Sequence, residues 1–348
     1  MSFQVIIQPS KHQFPVEPGQ TVLDGALAAG IVLPYSCRNG ACSTCKGKVV
    51  SGEFDAGQYP AQILSPEELA DGYTLFCQAR PASDMVVEST EVRLASDIQI
   101  RKLPSRVQTM EKAAPDVTVL KLQLPASEQF RYYAGQYIEI ILKDGRRRSY
   151  SMAGAPHTGS PLELHIRHLP GGVFTDHVFG AGDTQMKERE ILRLEGPFGS
   201  FFLREDSDKP IILLASGTGF APVKAIVEHM IHKNIRRPVA LYWGGRRPRD
   251  LYMDALAQSW ARDLPDFRYV PVVSNALEED GWSGRDGFVH EAVLQDIPDM
   301  SGHQVYACGA PPMVDAARRE FSAQCGLPPE EFYADAFTSE ADLAKAAT

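Results

Sequence analysis

Four of the chain's six cysteines fall in its first quarter, at Cys37, Cys42, Cys45 and Cys77, separated by four, two and 31 residues. The N-terminus, Met-Ser-Phe-Gln-Val-Ile-Ile-Gln-Pro, has neither a basic stretch nor a long apolar one, so it reads as cytoplasmic rather than as a signal peptide. In a reducing compartment clustered thiols hold metal more readily than they form disulfides. Cys308 and Cys325 are isolated near the other end.

The first three cysteines sit among small or flexible residues, Arg38, Asn39, Gly40, Ala41, Ser43 and Thr44. This spacing fits a 2Fe-2S cluster, a doubly negative group that needs four thiolates and a tight loop whose amides can approach the sulfurs. A structural zinc site also uses four cysteines, but usually as two short knuckles, whereas Cys77 stands alone on an expected strand, Tyr73–Ala79. A non-catalytic zinc-binding adaptor is therefore the rival reading from a different class.

The rest of the chain is ordinary for a globular protein. Its 348 residues imply two or three domains, and a net charge of −9 disfavours general nucleic-acid binding. No apolar run approaches the ~20 residues of a membrane span.

Residues 1–95 read as one α+β unit of the β-grasp kind. Phe3–Ile7 and Phe14–Val16 are expected strands, and a short helix opening at Thr21 stops near Gly30. A linker is expected over 96–104. Over 105–207, short β-rich segments punctuated by Gly and Pro predict an antiparallel β-barrel: Val117–Leu124, Gln136–Leu142, Ser149–Ala153, Leu162–His168 and Ile191–Glu195. From 208 to 337 strands alternate with helices, which predicts a parallel α/β unit. There Val223, Ile226, Val227, Met230 and Ile231 mark one apolar helix face. Residues 338–348 form an Ala-rich tail.

Two stretches carry the remaining chemistry. In the middle unit, Arg148-Ser-Tyr150-Ser151 is followed by a glycine loop, Gly171-Gly172-Val-Phe-Thr175, leading into a helix start, and then by Gly196-Pro-Phe-Gly199. Helix N-termini bind phosphate through unpaired N–H groups and the helix dipole. Alone, the Arg-rich turn at Arg146–Arg148 would read as a solvated edge. In the third unit Ile211–Ala215 runs into Gly217-Thr218-Gly219-Phe-Ala-Pro222, a strand–turn–helix geometry that lets backbone amides meet a pyrophosphate. It departs from G-x-G-x-x-G at Pro222, and a bare glycine pair is often structural. His165 and His168 read as barrel residues, since no paired metal-ligand spacing accompanies them.

Together, Arg-x-Tyr-Ser, the Gly-x-x-Thr loop, Gly-Pro-Phe-Gly, Gly-Thr-Gly-x-Ala-Pro and Cys308-Gly309-Ala-Pro-Pro-Met resemble the ferredoxin–NADP reductase superfamily. With the cysteine loop in front, the chain is similar to members carrying an N-terminal plant-type 2Fe-2S ferredoxin domain. The resemblance implies an FAD enzyme. Arg148 would pair with flavin phosphate, Tyr150 pack on the ring, Ser151 approach its reactive edge, and Gly172 and Thr175 contact the pyrophosphate. Gly217, Thr218, Gly219, Cys308 and Gly309 would line the NAD(P)H site. Cys308 has the alternative of a plain core residue. Phe337 matches an aromatic that lies near the flavin in this family, although here the chain continues past it and an ordinary core strand is the alternative.

The donor is less determined. The strand Val239–Trp243 ends in Gly-Gly-Arg246-Arg247 without an acid, Asp250 coming only later, and chemistry alone tilts this toward NADPH. The resemblance tilts toward NADH. It further implies an electron-transfer reductase feeding a partner protein, a deoxysugar dehydratase or an oxygenase component, and is compatible with a monomer. A flavin or ferric reductase is the rival within enzymes.

Overall fold

Val5 and Ile7 alternate with exposed neighbours, so the first segment forms a strand with one buried face, β1 (Phe3–Gln8), paired in a hairpin with β2 (Gln13–Val16). The computed structural model describes residues 2–61, 63–89, 91–94 and 98–337. It divides into two units, the first made of Met1–Asp97 with Gly199–Phe201 and the stretch from Ala334, the second of Ile98–Phe198 and Phe202–Tyr333.

In the first unit Thr21 caps helix α1 (Val22–Ala28), its Oγ1 accepting the Asp24 N–H at 3.1 Å. The helix buries Val22, Leu23 and Ala26. Strands β3 (Lys46–Ser51), β4 (Tyr73–Leu75) and β5 (Met85–Glu88) complete a sheet of order β2-β1-β5-β3-β4. Only the β1–β5 pair is parallel, and a mixed sheet grasping one helix is the β-grasp arrangement. One expectation fails here. The strand expected through Ala79 ends at Leu75, because the Leu75 carbonyl accepts the N–H groups of Gln78 and Ala79, at 2.8 and 2.9 Å. Cys77 therefore sits in a turn rather than on a strand.

The second unit begins with β6 (Arg101–Ala114), followed by β7 (Val117–Gln123), β8 (Tyr137–Ile141), β9 (Arg147–Ser151), β10 (Leu162–Arg167), helix α2 (Val173–Phe179) and β11 (Ile191–Phe198). The antiparallel order is β9-β8-β11-β6-β7-β10, and a bridge from Met152 to Leu164 joins the ends into a barrel. Leu103, Val107, Leu120, Ile138, Ile140, Leu164, Ile166 and Leu194 fill its interior. Within the expected linker, Arg101–Pro104 pair with Gly196–Arg193 of β11, and residues 95–97 lie outside the described ones.

The same unit continues into a parallel sheet. Its elements are β12 (Ile211–Ser216), α3 (Phe220–Lys233), β13 (Val239–Gly245), α4 (Asp254–Asp263), β14 (Phe267–Val273), β15 (Arg285–Asp286), α5 (Val289–Asp296), β16 (Gln304–Gly309), α6 (Pro311–Cys325) and β17 (Phe332–Ala336). The order is β15-β14-β13-β12-β16-β17, parallel from β15 to β16, with β17 running from the second unit into the first at Ala334. Both faces of β12 are covered, which explains its uninterrupted apolar run. The strand order reverses beside β12, and ligands of open α/β sheets bind outside the carboxyl ends at such a reversal. On α3 the predicted apolar face is narrower than expected: Ile231 is 47 % exposed. No helix among the described residues is long and apolar enough to cross a membrane. The tail at 338–348 lies outside the described residues.

Candidate functional site

The cysteine loop gathers all four thiols, free and mostly buried. They associate two and two. Cys37 hydrogen-bonds Cys42, pushing the Cys42 thiol down to about 6 and its own well up; Cys45 and Cys77 do the same, Cys45 raised and Cys77 lowered. Backbone N–H groups of Cys37 and Thr44 point at the Cys42 sulfur, that of Asn39 at Cys37, and that of Gly40 at Cys77. Arg38, Gly40 and Ser43 take positive φ, a rare run of left-handed backbone that turns these amides inward. Among the described residues no three His, Cys, Asp or Glu side chains are grouped for a single metal ion. Two thiol pairs with amide donors fit a binuclear cluster, in which each iron takes two thiolates.

In the barrel, Arg148, Tyr150 and Ser151 lie on β9 opposite Ile140, Ile138 and Tyr137. The three adjacent arginines differ. Arg146 pairs with Asp144 in the turn, and Arg147 with Glu139 and Glu195 at 2.6 and 2.7 Å, while Arg148 shares a strand face with Tyr150. The Tyr150 ring lies 5.4 Å from that of Phe174, the second residue of α2, so the flavin-signature strand and the glycine loop are neighbours. Burial pushes the Tyr150 phenol up, keeping it neutral at physiological pH. Gly172 is the N-cap of α2. Its N–H donates to the Leu169 carbonyl, and the Thr175 hydroxyl donates to the same oxygen at 2.9 Å. Both groups are thus engaged in shaping the loop.

The nucleotide motifs interlock at the sheet's reversal. A Cβ on Gly219 would stand 2.2 Å from the Cys308 carbonyl oxygen, and one on Gly309 2.3 Å from the Ser216 hydroxyl, so only glycine lets the two loops approach. The Ala310 N–H donates to Ser216 Oγ at 2.9 Å, and Trp243 Nε1 to the Gly217 carbonyl at 3.0 Å. Thr218 is half-buried between the two glycines; Cys308 is 0 % exposed, packed beneath the seam. At the end of β13, buried Asp250 accepts the backbone N–H groups of Arg246 and Arg247. Its carboxylate also lies 3.3 Å from the Arg246 Nε, and Arg247 pairs with Asp280 and Glu279.

Phe337 follows directly on β17. The contacts of Ser216 and Trp243 join segments far apart in the chain and leave no local pattern in the sequence, whereas Asp250 reaches back to its own turn. Ser216 is the most findable of the three, standing immediately before the glycine pair at a strand end.

Comparison with known proteins gives one picture across the chain. Residues 5–82 match the 2Fe-2S iron-sulfur cluster binding domain, 104–203 the oxidoreductase FAD-binding domain and 213–319 the oxidoreductase NAD-binding domain. The CDP-6-deoxy-L-threo-D-glycero-4-hexulose-3-dehydrase reductase of Yersinia pseudotuberculosis is 42 % identical over 337 residues, 97 % of this chain and 99 % of the relative. Terephthalate 1,2-dioxygenase reductase component 1 of Comamonas is 36 % identical, covering 97 % and 98 %. Among solved structures, the Amycolatopsis cytochrome P450 reductase GcoB superposes with a TM-score of 0.77 at 36 % identity, covering 97 % and 99 %.

Proposed function

This chain belongs to the ferredoxin–NADP reductase superfamily, among the members with an N-terminal 2Fe-2S ferredoxin domain, and we propose from that premise that it takes electrons from NADH and delivers them to a deoxysugar dehydratase. It is an NAD(P)H-dependent iron–sulfur flavoprotein reductase, with 2Fe-2S, FAD and NAD(P)H as its cofactors. When bound, FAD supplies hydride acceptance and the 2Fe-2S cluster supplies one-electron transfer, plant-type clusters lying near about −400 mV.

The residues then have defined tasks. Cys37 with Cys42, and Cys45 with Cys77, would each furnish the thiolates of one iron, while the loop amides offset their charge. Arg148 would bind flavin phosphate, Tyr150 would pack on the ring, and Ser151 would approach its reacting edge. Gly172 and Thr175 hold the phosphate loop in shape. Gly217, Thr218 and Gly219 would offer backbone N–H groups to the dinucleotide, and Cys308 and Gly309, packed against Gly219 and Ser216, would support the nicotinamide side. None of these roles asks a side chain to move a proton; the protein orients the reactants. The proposed functional units are 1–95, 105–207 and 208–337, with Arg101–Pro104 just ahead of the second paired to its strand β11.

NADH is favoured because both arginines at the end of β13 are already matched with carboxylates. That leaves less cationic character for the 2′-phosphate that distinguishes NADPH. The observation that carries the relay is the thiol loop, paired two and two, on the same chain as the interlocked nucleotide loops. A second reading, an oxygenase component as acceptor, is favoured by the 36 % identity to the terephthalate dioxygenase reductase.

Cys42→Ser tests the relay. NADH oxidation with ferricyanide should survive while reduction of cytochrome c, and of a purified CDP-deoxyhexulose dehydrase, should fall more than about tenfold. Persistence of all three would take the cluster off the route. Wild-type turnover with an oxygenase component but not with the dehydrase would select the second reading.

A further inference from the structure

The outer face of β10 presents Glu163, His165 and Arg167 at alternate positions, while Leu162, Leu164 and Ile166 point into the barrel. An outer barrel face is ordinarily wet. Here it is covered by the nucleotide half of the same unit, and the covering side chains are polar.

Lys224, on the first turns of α3, is 8 % exposed. Its Nζ lies 3.1 Å from Glu163 Oε1 and 2.8 Å from Glu228 Oε1, and donates to the Ala153 carbonyl at 3.4 Å. Ala153 stands two residues after Ser151, and its own N–H donates to the Glu163 carbonyl at 2.8 Å. Lys224 stands five residues after Gly219. One ammonium thus joins the segment leaving the flavin strand to the helix leaving the dinucleotide loop.

A second arm starts from the same carboxylate. His165 Nε2 is 3.0 Å from Glu163 Oε1 and Nδ1 is 2.8 Å from the Tyr252 hydroxyl. A carboxylate on Nε2 requires a proton there, so in the neutral ring Nδ1 accepts from Tyr252. Burial lowers the His165 pKa, in keeping with the neutral form. Tyr252 meets the Trp243 ring edge-on at 5.3 Å, and Trp243 holds the Gly217 carbonyl. The two arms therefore reach both ends of Gly217–Gly219.

Resting on the hydride-transfer reading above, we propose that Lys224, anchored by Glu163, is a positioning residue that sets the dinucleotide loop in register with the flavin strand. A buried ion pair is a poor device for stability alone, since apolar residues of like volume do as well or better. Its value is geometric: it has one satisfied arrangement, and sliding α3 along β10 breaks it. Hydride transfer is sensitive to such sliding, because a misplacement of about 1 Å can cost as much as about a hundredfold in rate.

The test is anaerobic stopped-flow bleaching of the flavin across a range of NADH concentrations, which separates the limiting rate from the NADH Kd. In Lys224→Met the limiting rate should fall about tenfold, with FAD content unchanged and Kd moved less than about twofold. Lys224→Arg should recover most of the rate. Hydrogen exchange of the amides over 216–220 should accelerate in Lys224→Met, a readout that does not pass through turnover. If Lys224→Met does not fold, Glu163→Gln, which keeps the shape and removes the charge, must slow the limiting step in the same way. A limiting rate within about twofold of wild type in either variant, with the wild-type flavin bleaching normally, overturns this inference and leaves the reductase reading standing. Failure of the wild-type flavin to bleach with NADH overturns both.

Discussion

Gly219 has no tolerance for a side chain. The atoms a methyl would strike are the carbonyl carbon and oxygen of Cys308, backbone that cannot swing aside. Gly219→Ala should therefore cost about 2–3 kcal/mol and open the seam between the two nucleotide loops. Urea unfolding should register the loss, and NADH reduction should weaken with it. Gly302→Ala, where a Cβ meets nothing within 4 Å, serves as the neutral control. Glu163 makes a prediction in pH. Burial by itself would raise its pKa; the His165 hydrogen bond and the Lys224 charge outweigh that and hold it at about 2. A carboxyl depressed in the fold stabilises it above the ordinary carboxylate value, and that contribution disappears as pH falls from there through about 2. His165, lowered by burial, works in the same sense from about 6.5 downward, since the unfolded chain takes its proton first. The charge facing this carboxylate from α3 is Lys224, which also pairs with Glu228. Glu163→Gln should lose about 3 kcal/mol at pH 7, and its deficit against wild type should shrink at pH 3.5. An equal deficit at both pH values in urea unfolding would contradict this.

At the level of elements, α3 shows how far an amphipathic pattern reaches. Val223, Ile226, Val227 and Met230 are buried, whereas Ile231 continues the spacing but is exposed to solvent. Ile226→Ala should cost about 2–4 kcal/mol by leaving a cavity, and Ile231→Lys should stay within about 0.5 kcal/mol of wild type. Denaturant midpoints of the two variants decide it. The barrel shows the converse. β6 is hard to read as a strand although Leu103, Ser105 and Val107 alternate correctly, because Pro104 and the charged Arg101 and Lys102 resemble a linker. Its pairing with β11, far along the chain, is what makes it a strand.

On the scale of the whole molecule, three cofactor sites on one chain fix an electron count. FAD takes two electrons and the cluster one, so anaerobic titration of the holoenzyme should consume about one and a half NADH per chain. An end point near one NADH would mean that the cluster does not exchange with the donor.

The cofactor chemistry was legible in the sequence because each group touches a short run of backbone. A cluster draws three of its thiols from one loop and a phosphate suits the start of one helix, and such needs write themselves as spacings, Cys37 to Cys45 and Gly217 to Gly219, whereas the fourth thiol, Cys77, comes from a separate turn. The β-grasp, barrel and parallel sheet followed from periodicity for the same local reason. Tertiary structure alone decided what depends on residues far apart in the chain. It ended the strand before Cys77, drew Arg101–Pro104 into the barrel and packed Cys308 beneath Gly219. It also set Glu163 against Lys224 across 60 residues of chain, a pairing that neither residue's neighbours announce, since burial of a charge is a property of the packed surface and not of the segment that carries it.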